Sequence, residues 1–101
     1  MLRLKEGVNL DGLHYRMIDA LPVLSAIFYA HGQDLWITSA NDSHDGGLHP
    51  LGRGLDLRTR FWDNETAWKV LGAVRQALGR GYDCILEENP PHIHIEWDPK
   101  P

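Results

Sequence analysis

Two short motifs in the second half of the chain carry side chains that can bind a metal ion. The first is His49-Pro50-Leu51-Gly52-Arg53-Gly54-Leu55-Asp56, and the second is His92-Ile93-His94. Zinc prefers imidazole nitrogens and carboxylate oxygens, and a catalytic zinc ion usually keeps three protein ligands and a water. A His-x-His pair alone is more often a solvated pair on a strand, so the prediction of a metal site depends on both motifs together.

The second motif lies in a segment whose apolar and polar residues alternate strictly, which predicts a strand over 92–97. Successive side chains of a strand point to opposite faces. His92 and His94 therefore share one face, and Ile93 and Ile95 share the other. We expect the isoleucines to be buried and the histidines to face solvent or a metal ion.

A polar, glycine-rich stretch over 39–47 precedes the first motif and predicts a loop that carries function. His44 of this loop is a candidate to face the metal ion or orient one of its ligands, and an exposed loop histidine is the alternative. Ser39 and Asp42 are candidates for substrate binding or for shaping the loop through side-chain to backbone hydrogen bonds. Arg53 and Arg58 are candidates to bind a substrate carboxylate through a bidentate contact. Ordinary surface charges are the alternative, and it is the more favoured one for Arg58.

Helical and strand patterns predict how these residues are positioned. Apolar spacing predicts a helix over 11–31 that is kinked or divided at Pro22 and ends at Gly32. A second helix is predicted over 64–78, and strands are predicted over 35–38, 53–60, 82–86 and 92–97. This order predicts an α+β domain with helices packed on a small, mostly antiparallel four-stranded sheet.

The composition suits one domain over 1–101 and excludes several classes of protein. A net charge of −4 argues against a sequence-independent nucleic-acid binder. No window approaches the roughly 18 apolar residues of a membrane span, and the N-terminus lacks the features of a secretory signal. The single cysteine, Cys84, excludes an internal disulfide and predicts a buried strand residue. We therefore expect a monomer made in the cytoplasm, without nucleic-acid or membrane partners.

The two motifs resemble those of the D-alanyl-D-alanine carboxypeptidase-type zinc peptidases, in the lysostaphin and hedgehog-like metallopeptidase group. The matching pattern is His-x-x-Gly-x-[Ala/Gly]-x-Asp followed by His-x-His. The run over 37–42 and the closing Glu96-Trp97-Asp98-Pro99 also resemble small phage and prophage members. The resemblance covers roughly residues 35–98 and implies the hedgehog and D-Ala-D-Ala-peptidase type of fold.

The resemblance implies one zinc ion on His49, Asp56 and His94, with His92 beside the metal as general base or as the group that polarises the scissile carbonyl. It implies hydrolysis of a peptide bond in a stem peptide or cross-link of bacterial peptidoglycan, by endopeptidase or D,D-carboxypeptidase action. The protein would act on the cell wall after release from the cell, as an endolysin does, or as part of a phage particle.

The chain departs from the family pattern at two positions. Gly47 stands where many relatives carry serine, and Pro91 stands where carboxypeptidase members often carry the glutamate that acts as base. His92 is our first choice for the base, with Glu87 and Glu88 as alternatives. The departure favours an endopeptidase. It also keeps open a zinc-binding domain of the same fold without turnover, as a structural or binding module of a phage particle, and a phage component without metal.

Overall fold

The computed structural model describes residues 1–40 and 52–100, which form an α+β fold of five strands and two helices. In chain order the elements are β1 (Leu2–Leu4), α1 (Tyr15–Ala30), β2 (Leu35–Ser39), β3 (Gly54–Arg58), α2 (Asn64–Leu78), β4 (Tyr82–Glu87) and β5 (His92–Trp97). The α+β class and the packing of helices on a sheet are confirmed. Neither helix is long and apolar enough to cross a membrane.

The prediction of four strands is wrong, because β1 adds a fifth strand at the edge of the sheet. The strand order is β1-β2-β3-β5-β4, with β1 and β2 parallel and the other three pairs antiparallel. All three residues of β1 are exposed. A strand of three residues is too short for its alternation to identify it, and its backbone pairing with β2 holds it in place.

The first helix is continuous through Pro22, so of the two outcomes expected there, a kink or a division, the division into two helices is wrong. A proline inside a helix removes one backbone hydrogen bond. Fully buried side chains on both sides of it, Met17 before and Leu24 and Phe28 after, anchor the helix to the core. This packing outweighs the lost bond, since most helix stability in proteins comes from tertiary contacts.

The C-terminal end of α1 follows the sequence prediction, although the helix begins at Tyr15 and not at residue 11. Gly32 has a φ of +73°, and the amide of Gln33 donates to the carbonyl of Phe28 at 2.9 Å, which ends α1. The carboxylate of Asp63 accepts from the amide of Thr66 at 2.7 Å and caps α2. The second helix spans the predicted residues, so the capping signals and the apolar spacing located it correctly.

The two faces of the sheet differ in chemistry. The face covered by the helices contributes fully buried side chains, Leu55 and Leu57 from β3 and Ile93 and Ile95 from β5. We call the opposite side the open face. It carries half-buried polar side chains from the alternate positions of the same strands: Asp56, Arg58, His92, His94 and Glu96. The predicted alternation of β5 is confirmed, and Cys84 is buried as expected.

Candidate metal centre

Asp56 and His94 lie side by side at the centre of the open face. They are directly opposite each other in the antiparallel pairing of β3 and β5. The Nδ1 atom of His94 lies 2.7 Å from Oδ1 of Asp56, and their side chains are 16% and 23% exposed. Pairing of the strands therefore brings together two of the three predicted metal ligands, although 38 positions separate them in the chain.

A carboxylate lies at each nitrogen of the His94 ring. On the side away from Asp56, Nε2 lies 2.7 Å from Oε1 of Glu96. Burial disfavours the charged imidazolium, but the hydrogen bonds to Asp56 and Glu96 outweigh burial and raise the pKa of His94 to about 9. This environment holds a positive charge at the ring when no metal is present.

The same arrangement fits a zinc ligand. A metal-bound histidine usually donates its other ring N–H to a carboxylate, which fixes the orientation of the ring. One ring nitrogen of His94 can bind the ion while the carboxylate at the other nitrogen accepts its proton. Asp56 would then supply a carboxylate oxygen, so the donor set suits zinc.

His92 occupies the next open-face position of β5, and its ring is fixed at one nitrogen. Its Nδ1 lies 2.6 Å from the carbonyl oxygen of Pro90. A carbonyl only accepts, so Nδ1 carries the proton and donates. The other nitrogen, Nε2, faces two carboxylates, at 3.7 Å from Asp56 and 3.3 Å from Glu87. The Nε2 atom of His92 therefore lies between Glu87 and Asp56, and it is nearer to Glu87.

The two glutamates considered as alternative bases point to different places. Glu87 is opposite His92 in the pairing of β4 and β5, and its Oε1 atom is the one 3.3 Å from His92. Glu88 is exposed and lines a cavity of about 90 Å³ together with Asn64, Leu86 and Arg60, and neither Asp56 nor His92 lines that cavity. The acidic side chain next to His92 is thus that of Glu87.

Of the predicted substrate-binding residues that the structure describes, Ser39 adjoins the site. Arg53 instead lies toward Asp98, whose pKa is lowered mainly by a hydrogen bond from Lys100 and further by the charge of Arg53. Ser39 is opposite Asp56 at a β-bulge and is only 6% exposed. Arg53 lies just before β3, where its carbonyl accepts a hydrogen bond from the amide of Trp97 at 2.9 Å. The chain turns ahead of Arg53 at Gly52, whose φ of +73° lies in the left-handed region that favours glycine.

Three predicted site residues lie outside the described residues: the metal ligand His49, the loop histidine His44 and the substrate-binding candidate Asp42. Their roles stay predictions, and so does the complete set of three ligands.

A cavity of about 270 Å³ opens beside Asp56 and His92, and two of its lining residues had not been singled out from the sequence. They are Lys5, which follows β1, and Arg60, which lies two positions beyond Arg58. Asp56, Arg58 and Arg60 are at alternate positions, so extending the alternation of β3 by two residues could have placed Arg60 on the same face. No comparable signal marked Lys5, because β1 itself has no recognisable pattern.

A second group of acidic side chains lies at one end of β5. Asp83, Glu96 and Asp98 each place a carboxylate oxygen within 4.8 Å of the others. Lys100 pairs with both Asp83 and Asp98. Such surface carboxylates are common without an ion, so this group is weak support for a metal site.

Comparisons of the chain with protein-family models, with curated proteins and with solved structures found no match. The function is therefore inferred from the residues and their arrangement.

Proposed function

We propose that this chain is a zinc-dependent peptidase that cleaves a peptide bond in the stem peptides or cross-links of bacterial peptidoglycan. The observation that carries the proposal is the 2.7 Å contact of Asp56 and His94 on the open face, with His92 next to them. The D-Ala-D-Ala-peptidase type of fold belongs to the same proposal, as does action on the wall as a phage lysin or particle component.

Asp56 and His94 would hold the ion together with His49. When bound, zinc supplies a Lewis acid that makes hydroxide available near neutral pH. Glu96 keeps the ring of His94 in one orientation through its hydrogen bond to Nε2. Strand pairing and this carboxylate fix the two ligands before any substrate arrives, which favours catalysis because little rearrangement is needed.

His92 is the proposed general base. Its Nδ1–H is held by the carbonyl of Pro90, which leaves Nε2 free of a proton in the neutral ring. That nitrogen faces Asp56 and so can take a proton from a nucleophile held beside the ligands. General base catalysis contributes about 10²–10⁴-fold in rate. Glu87 is in contact with Nε2 and can stabilise the imidazolium that results.

The alternative is a zinc-binding module of the same fold without turnover. Pro91 favours it, because proline replaces the glutamate that serves many carboxypeptidase relatives as base. The two candidates agree on metal binding and differ in the release of products.

The deciding experiment is mass spectrometry of fragments released from purified cell wall, with the zinc content measured in the same samples. We expect the wild type to bind about one zinc ion and to release peptide fragments, and a chelator to stop the release. In His92→Ala the metal should stay bound, while the rate falls by about 10²–10⁴-fold. His31→Ala, which removes an imidazole at the end of α1, is the matched control and should behave as wild type.

Two results would count against this proposal in different ways. If His92→Ala retains its zinc and releases fragments at the wild-type rate, the role of His92 is wrong. If the wild type binds zinc stoichiometrically and releases nothing, the module without turnover is the better description.

A further inference from the structure

Three cationic side chains converge on the cavity beside the candidate metal centre. Lys5, Arg58 and Arg60 line it, together with Asp56 and His92 on its other side. We call this cavity the cationic cleft. Arg58 and Asp56 are alternate residues of β3 on the same face, so the cleft borders the proposed ligands directly.

These three cations lack acidic partners within the part of the chain that the structure describes. None of them forms an ion pair there, whereas Arg3 pairs with Asp34 and Lys69 with Glu65. The chain has 14 acidic residues and 10 basic ones, so the absence of an ion pair at these three cations among the described residues does not come from a shortage of carboxylates. Positive charge concentrated without partners in a cleft favours binding of an anion.

Aromatic side chains hold the two guanidinium groups at the rim of the cleft. The guanidinium of Arg58 lies 4.8 Å from the centre of the Trp36 ring, and that of Arg60 lies 5.1 Å from the centre of the Phe61 ring. Stacking of this kind orients the planar guanidinium while leaving its N–H groups available for a carboxylate. The arginines are therefore prearranged for an anionic ligand.

Phe61 supports a binding role because its conformation is unfavourable for the free protein. Its φ is +74°, in the left-handed region that bulky residues rarely adopt, and its side chain is 93% exposed. Such outliers concentrate at ligand-binding sites. A neighbouring cavity of about 360 Å³ is lined by Phe61 and Trp36 and shares Arg58 and Arg60 with the cationic cleft.

We propose that the cationic cleft binds a free carboxylate of the peptide substrate, and that Phe61 and Trp36 pack against the adjoining part of that peptide. The identity of the ligand rests on the proposed peptidase function. A carboxylate is favoured over other anions because the cleft adjoins Asp56 and His92, so its occupant belongs to the molecule that reaches them. A peptide carries carboxylates within that short reach.

The test compares two synthetic stem peptides, one with free carboxylates and one with the same carboxylates amidated. Binding to the full chain is measured by calorimetry, first with chelator, which prevents hydrolysis, and then with zinc. A charge-assisted hydrogen bond contributes enough for about 10-fold tighter binding of the free acid to the wild type. In Arg58→Gln/Arg60→Gln this preference should disappear, and in Lys69→Gln, a matched loss of charge on α2, it should remain.

The single variant Arg60→Gln keeps the test decisive if the double variant does not fold, because Arg60 is exposed and its replacement should leave the fold intact. It should lose part of the preference while retaining the wild-type unfolding midpoint. Equal binding of acid and amide by the wild type would overturn the inference. Inorganic phosphate that binds as tightly as the peptide acid, and only when both arginines are present, would assign the cleft to phosphate and overturn it too.

These outcomes separate the cleft from the proposed function. If zinc-loaded protein releases fragments but binds the peptide acid and its amide equally well, the inference about the cleft is wrong and the proposed peptidase function stands. A preference for the acid that depends on the arginines, without any hydrolysis, supports the cleft and refutes the peptidase.

Discussion

Cys84 and His94 lie on opposite faces of the same sheet. Both have a raised pKa, but the higher pKa favours the neutral form of the cysteine and the charged form of the histidine. On the covered face, desolvation by burial raises the pKa of the Cys84 thiol to about 11 and so favours its neutral form. On the open face, burial opposes the charge of His94, but Asp56 and Glu96 raise its pKa to about 9 and so favour the charged form. One face excludes charge, and the other is built to hold a cation.

The largest contrast between the faces should be in stability. Ile95→Ala removes a fully buried side chain of the covered face and should lower the free energy of unfolding by about 2–5 kcal/mol. His92→Ala, on the open face of the same strand, should lower it by about 1 kcal/mol, since it loses mainly one hydrogen bond. Urea denaturation with chelator present measures both. Equal losses would show that the open face contributes to the core as much as the covered one.

The pH dependence of His94 gives the second test, on metal-free protein. Its pKa is raised in the folded state, so its contribution to stability is complete below about pH 6.5, the ordinary value. That contribution is lost as the pH rises through about 9. The loss is on the order of 3 kcal/mol, measured by denaturation at several pH values.

A matched variant connects this titration to the carboxylates. Glu96→Gln removes one of the two that face His94, so the pKa read from the ring proton signals by NMR should move down toward 6.5. A wild-type His94 that titrates near 6.5 would contradict the comparison of the two faces.

The smallest expected change in the free energy of unfolding comes from a substitution at Phe61, beside the open face. Phe61→Gly should raise the free energy of unfolding by about 1 kcal/mol, because glycine adopts a positive φ without strain. The same change should weaken binding of the peptide acid. Phe61→Ala is the control, since alanine keeps the strain and should bring no gain in stability. Destabilisation by Phe61→Gly would indicate that the side chain supports the fold instead of a ligand.

Local signals in the sequence located the elements that have strong ones. The second helix has a capping Asp63, regular apolar spacing and a terminal Gly79, and its bounds were predicted correctly. The first strand, Leu2–Leu4, was missed because its position depends on pairing with β2 and not on its own residues. The helix is not divided at Pro22, because tertiary packing, which the sequence does not display, outweighs the local effect of the proline.

In the candidate site too, local sequence signals were sufficient for single strands but not for the pairing between strands. Alternation along β5 predicted that His92 and His94 share a face, but it contains no information about which residue of β3 lies opposite them. The contact of Asp56 with His94 depends on that register. The fourth strand ends at Glu87, one residue later than predicted. Glu87 is therefore part of the strand and lies next to His92, whereas the side chain of the following residue, Glu88, does not, because side chains of a strand alternate with a period of two.

The position of β3 between β2 and β5 has a consequence for how the protein is made. During synthesis, a nascent chain that has not emerged past Trp97 holds Asp56 without His94, since β5 follows α2 and β4 in the chain. The pair can form only once that strand has left the ribosome and docked. A chain truncated before β5 would therefore lack the contact of Asp56 with His94, whatever structure its earlier elements reach.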